Sequence, residues 1–170
     1  FTSGDASIQA VDPLHLIQEC VERVAALASE RKVRLEISSS GWVPEIFVDR
    51  VQMSTALGNL LKNAVQASSP GDKVSIRLVR SAAREVQIRV VDEAAPLAMA
   101  EAEQMFRPFA TRSKDGLGLG LSISRSLVEN NDGTLRYENA PEKSFVVSLK
   151  QDDHDPALRD EQFRTTRLRR

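Results

Sequence analysis

The chain has 170 residues, 41% of them apolar and 28% charged, with a net charge of −1. These are values of a soluble globular domain with room for one core. So even a charge balance gives no reason to expect nucleic acid or an anionic membrane as the main partner, and no apolar run approaches the length of a membrane span.

The first predicted element starts at Asp12-Pro13, an N-cap acceptor followed by proline at the first helical position. Leu16, Ile17, Cys20, Val21, Val24, Leu27 and Ala28 then recur at helical spacing. Cys20, the single cysteine, falls within that stripe and is expected to be a buried, inert thiol. Val33, Leu35 and Ile37 alternate with charged residues as a half-buried strand. A Ser/Gly loop follows, in which Trp42 is expected to lid the edge of the core, and a short strand is predicted at Ile46-Phe47-Val48. Asp49 caps a second predicted helix, whose apolar stripe runs from Val51 to Ala64 and which ends before Ser68-Ser69-Pro70-Gly71. Two alternating strands, Val74 to Leu78 and Val86 to Val90, read as a hairpin. Beyond Asp92 come a short helix over 98–105, a Phe106-Arg-Pro-Phe109 loop expected to anchor through both rings, a glycine-rich loop, and a helix to about residue 130. Strands at Thr134–Glu138 and Ser144–Lys150 close the pattern, so residues 1–150 read as one domain and 151–170 as a polar, basic linker or tail. The start at Phe1 leads to the expectation that the chain is cut from a longer protein.

Three features carry chemistry. Gly116, Gly118 and Gly120 lead directly into a helix; residues without Cβ let backbone amides approach a ligand, and a helix start gathers unpaired N–H groups, so the place suits phosphate. Thr111 and Lys114 lie just upstream. A glycine run alone is equally compatible with a hinge. Asn59 and Asn63, four residues apart on one helical face, could hold a hard cation or a phosphate oxygen, or could be ordinary surface amides. Asp92 ends an apolar strand, where a carboxylate can accept a hydrogen bond from a ligand's amino group or simply close a turn.

Taken in order, these motifs resemble the catalytic ATP-binding domain of the two-component sensor histidine kinases, within the wider gyrase–Hsp90–kinase–MutL group. Asn59-Leu-Leu-Lys-Asn63 is similar to that family's N box, Met105 to Phe109 to its F box, and Gly116 to Leu121 to its G2 box. The resemblance covers residues from about 12 to 150 and implies an α+β two-layer sandwich: a mixed sheet of about five strands covered on one face by about three helices. It further implies ATP and Mg2+ as ligands. By this resemblance Asn63 would help hold Mg2+, Asn59 would lie near the phosphates, and Asp92 would take the adenine amino group with support from Ser144. Thr111, Lys114, Gly116, Gly118, Leu119 and Gly120 would meet the phosphates. In the hydrolysing relatives the position of Asn59 is similar to a water-activating glutamate; an amide cannot take that proton, which favours transfer to an acceptor supplied elsewhere. Neither His15 nor His154 resembles the family's acceptor motif, so no catalytic residue is expected in this fragment. The implied partners are an N-terminal dimerisation and phosphoacceptor domain of the same protein and a response regulator. The full-length protein is then expected to be a homodimer, with this domain cytoplasmic and making no membrane contact, even where the whole is membrane-anchored.

One box departs from the pattern. The family's G1 box is similar to Asp-x-Gly-x-Gly, and here it reads Asp92-Glu-Ala-Ala-Pro96, without either glycine. Two outcomes follow: a kinase domain that binds ATP through a reshaped lid, which the retained asparagines and G2 box favour, or a pseudokinase serving as an interaction module.

Overall fold

A computed structural model describes residues 7–81, 84–109 and 120–151. The elements follow in the order β1 (Ile8–Val11), α1 (Pro13–Glu30), β2 (Arg34–Ser39), β3 (Ile46–Asp49), α2 (Arg50–Ala67), β4 (Lys73–Ser81) and β5 (Glu85–Asp92). The second half adds α3 (Met99–Met105), α4 (Gly120–Glu129), β6 (Thr134–Glu138) and β7 (Ser144–Lys150).

Both expected caps are present. The Asp12 carboxylate accepts from Leu14 N at 2.8 Å and His15 N at 3.3 Å ahead of Pro13, and Asp49 accepts from Gln52 N at 2.9 Å. The main sheet has the order β2-β4-β5-β7-β6, with β2 parallel to β4 and the remaining pairs antiparallel. Period-two alternation then sorts its side chains onto two faces. Ile76, Leu78, Ile88, Val90, Phe145, Val147 and Tyr137 are buried with Leu16, Ile17, Met53, Leu57, Leu60 and Leu61 of the helices in one core. The other face is polar. Arg89 and Arg136 both reach Glu138, at 2.7 and 2.9 Å, Arg77 pairs with Glu142, and Arg136 donates to Ser148. This is the expected sandwich, a mixed five-stranded sheet with α1, α2 and α4 on one side.

The strand expected at Ile46–Val48 is present as β3, and it pairs with β1 in a separate two-stranded sheet. One expectation was not met. Trp42 does not lid the core: it is 59% exposed, with the Arg80 guanidinium 6.0 Å from its ring centroid. Cys20 is buried as expected, and that burial pushes its thiol pKa up.

Asn131 ties the layers together. Its side-chain oxygen accepts from Asp49 N at 2.7 Å, and its amide nitrogen donates to Gln52 Oε1 and Leu127 O at 3.0 and 2.8 Å. Two residues on, Gly133 leaves no room for a side chain. A Cβ there would lie 2.7 Å from Leu149 Cδ2, 2.8 Å from the Ser148 carbonyl oxygen and 2.9 Å from Val128 Cγ1. Gly133→Ala should therefore cost about 1–3 kcal/mol of stability, read as a lower denaturant midpoint with unchanged slope.

Acid should act through the carboxyls that folding holds below their ordinary range, Asp49 and Glu138 among them. The backbone bond from Gln52, with a further one from Ser7, holds Asp49 below the usual range. For Glu138, burial pushes the pKa up, but the bonds from Arg89 and Arg136 outweigh it and leave it lowered. A carboxyl depressed by folding stabilises fully above its unfolded pKa, and the gain is lost as pH falls through the folded value. The melting temperature should thus be flat above about pH 5 and drop below about pH 4. Glu138→Gln should shallow that drop, whereas Asp49→Asn, which keeps a capping acceptor, should remove Asp49's share without unwinding α2.

Candidate nucleotide site

The site follows from how α4 lies against α2. Ser124 Oγ donates to the Ala56 carbonyl at 3.1 Å, while Asn131, just past the end of α4, bonds Gln52 and Asp49 at the start of α2. The helices are therefore antiparallel. Going back one turn along α4, from Ser124 to Gly120, corresponds to going forward one turn along α2, from Ala56 to Leu60. The amino end of α4 thus lies beside the turn that carries Asn59 and Asn63. These two asparagines share the α2 face with Ala56. Both are half-buried, and neither makes a side-chain hydrogen bond with another described residue. At Gly120 an added Cβ would meet no described residue within 4 Å. Thr111, Lys114, Gly116, Gly118 and Leu119 lie outside the described residues.

Asp92 ends β5 opposite Val74, close after the carboxyl end of α2, and so belongs to the same end of the domain. Its side chain is 2% exposed and makes a 2.8 Å ion pair with Lys143, itself 9% exposed. Oδ1 accepts both this bond and one from Ala94 N at 3.0 Å. Oδ2 has no partner among the described residues. Removing either charge would strand the other in a buried setting, typically costing about 3–5 kcal/mol.

Ser144 does not stand beside this carboxylate. The ladders place it opposite Val91 and Glu138, on the polar sheet face, whereas Asp92 belongs to the helix-covered face with Val90 and Phe145. The Ser144 hydroxyl is buried without a hydrogen-bond partner. The residue that does reach Asp92 is Lys143, one place earlier in the chain. Alternation along β7 was the available signal for this swap; the pairing of β7 with β5 was needed to use it.

The segment after Asp92 is held from the sheet. Tyr137 Oη accepts from Leu97 N at 2.7 Å, and its ring packs at 5.4 Å on Phe145, which in turn meets Phe106 edge-on at 5.9 Å. Phe106 anchors as expected. Phe109 does not: it is 76% exposed and its backbone has φ of +63°, a conformation rare for a bulky residue. Arg125 of α4 stacks 3.6 Å above the Phe106 ring and makes two bonds to Glu103, at 2.7 and 3.3 Å, gripping α3. After Asp92 the chain makes a turn in which Ala94 N closes on the Asp92 carboxylate and Leu97 N hangs from Tyr137.

Residues 48–153 match the family described as histidine kinase-, DNA gyrase B- and HSP90-like ATPase. The chain is similar to the C4-dicarboxylate transport sensor protein DctS of Rhodobacter capsulatus, 33% identical over 134 residues that make up 76% of this chain and 20% of that protein. It is likewise similar to the sensor histidine kinase ZraS of Escherichia coli K12, 30% identical across 84% of this chain and 30% of the relative. The solved structure of the mycobacterial sensor histidine kinase MprB matches with a TM-score of 0.72 at 28% identity, covering 84% of this chain and 96% of that one. The chain therefore spans less than a third of the length of either curated relative.

Tyr137→Phe should keep the aromatic packing but leave Leu97 N without its acceptor. The expected result is a loss of about 1–2 kcal/mol in urea unfolding, with faster hydrogen exchange at the Leu97 amide than in the native chain.

Proposed function

We propose a function from the premise that this chain belongs to the family of histidine kinase-, DNA gyrase B- and HSP90-like ATPases: as the catalytic domain of a sensor histidine kinase, it binds Mg-ATP and presents the γ-phosphate to a histidine on a separate dimerisation domain. The observation that carries this reading is the meeting of two half-buried amides, Asn59 and Asn63, without side-chain partners among the described residues, with the amino end of α4.

Each part has a chemical task. The N–H groups opening α4 point toward the triphosphate and, with the helix dipole, offset its charge. Thr111, Lys114, Gly116, Gly118, Leu119 and Gly120 complete the phosphate contacts in this reading. Asp92 Oδ2 accepts from the amino group of the base, at the same end of the sheet.

The side chains also suit Mg2+. Among the described residues there is no group of three or more His, Cys, Asp or Glu able to hold a metal, and Asn63 offers one neutral oxygen. Mg2+ keeps several waters and is commonly held by one or two protein oxygens together with substrate phosphates. When bound, it neutralises charge that builds up on the transferring phosphoryl group. Asn63 orients that cation and Asn59 a neighbouring phosphate oxygen.

Transfer breaks the bond between the γ-phosphorus and the β–γ bridging oxygen and forms one to an imidazole nitrogen; ADP leaves and the imidazole gives up its proton. Asn59, an amide, cannot act as the base for attack by water, so the domain alone turns over little ATP. The acceptor histidine comes from the dimerisation domain, and a response regulator takes the phosphoryl group in turn. In this reading, as the catalytic domain of a sensor kinase, it works in the cytoplasm, where its ATP is. No helix among the described residues is long and apolar enough to cross a membrane.

Calorimetric titration with a nonhydrolysable ATP analogue should give saturable binding that needs Mg2+, and Mg2+ alone should give none. Asn63→Ala should weaken binding about tenfold or more, the worth of one charge-assisted contact. Absence of heat from the native chain, with no nucleotide-dependent protection from proteolysis, would instead assign it the role of a non-catalytic interaction module.

A further inference from the structure

Lys143 is the chemically unusual member of the base end. Resting on the reading of Asp92 as base acceptor, we propose that the Asp92–Lys143 pair is a two-handed purine reader, with Lys143 relaxing the discrimination between 6-amino and 6-oxo purine nucleotides.

The argument starts from hydrogen-bond inventory. Asp92 has used Oδ1 twice, on Ala94 N and Lys143 Nζ, and keeps Oδ2 as an acceptor free of described partners. The Lys143 ammonium has three protons and gives one to Asp92, while the others meet no described residue. An acceptor and a donor therefore stand side by side at the end of β5, where the lysine side chain is 9% and the aspartate 2% exposed.

The two purines present complementary edges to such a pair. Adenine offers a 6-amino donor beside the N1 acceptor; guanine and hypoxanthine offer a 6-oxo acceptor beside an N1–H donor. A lone carboxylate accepts from the adenine amine but opposes the oxygen of a 6-oxo purine. That mismatch, in a desolvated site, is what normally makes such a pocket selective. With Lys143 adjacent, adenine can give its amine to Asp92 Oδ2 and take a proton at N1 from the lysine. A 6-oxo purine can do the reverse. The ammonium also shares the carboxylate's charge and weakens its preference for the amine.

The test compares binding of ATP, GTP and ITP, each with Mg2+, to this chain and to Lys143→Met and Lys143→Arg, with unfolding curves recorded for each variant. The native chain should bind ATP and the 6-oxo nucleotides within about tenfold of each other. Lys143→Met should widen the ratio by a further factor of about ten, chiefly through loss of GTP and ITP, while Lys143→Arg should retain the narrow ratio. If Lys143→Met does not fold, the native ratio decides. A native chain that takes ATP alone, or a Lys143→Met chain that binds all three nucleotides more tightly by one common factor, would overturn the proposal; the latter outcome would make the pair a plug. Binding of no nucleotide at all would instead remove the base site itself, and with it the catalytic reading.

Discussion

The geometry of the whole site depends on the antiparallel contact between α2 and α4. Ser124 against the Ala56 carbonyl and Asn131 against Asp49 and Gln52 are the fixed points. Neither interaction is strong alone; a buried hydrogen bond contributes about 1 kcal/mol net. Together they fix both the direction and the register of α4. Reversed or slid by a turn, α4 would carry its amino end away from Asn59 and Asn63. That end is therefore held from the opposite end of the helix.

Much of this was legible from local pattern. The helix caps at Asp12 and Asp49, the apolar stripes, the hairpin and the asparagine spacing are all properties of short stretches, and the structure bears them out. Two readings went astray for a shared reason: each depended on what a residue faces across the fold. The strand at Ile46–Asp49 was legible, whereas its partner is a four-residue segment near the start of the chain that is too short to announce itself. Trp42 and Phe109 were assigned inward from their size, yet both are solvated. Phe106 and Phe109 differ by three positions and by whether the Arg125 and Phe145 side chains can reach them, which no local rule reveals.

Lys143 and Ser144 give the sharpest case. Neighbours on a strand face opposite ways, so a shift of one position exchanges a neutral hydroxyl for a cation beside Asp92. The family resemblance pointed to Ser144 as the support of that carboxylate and left Lys143 unremarked. The register of β5 with β7 reverses that assignment. In the turn after Asp92 the carboxylate's Oδ1 is occupied by Ala94 N and Lys143, and no residue of 93–96 has a positive φ.

The grip of Arg125 on α3 has two halves of different physical character. The bonds to Glu103 lie in the open, with that carboxylate 66% exposed, whereas the contact with Phe106 is made over a ring only 5% exposed. Mobile ions screen the first and scarcely touch the second. In concentrated brine the link between these helices would accordingly pass from a charge pair to a stacked plane, remaining attached but free to swivel.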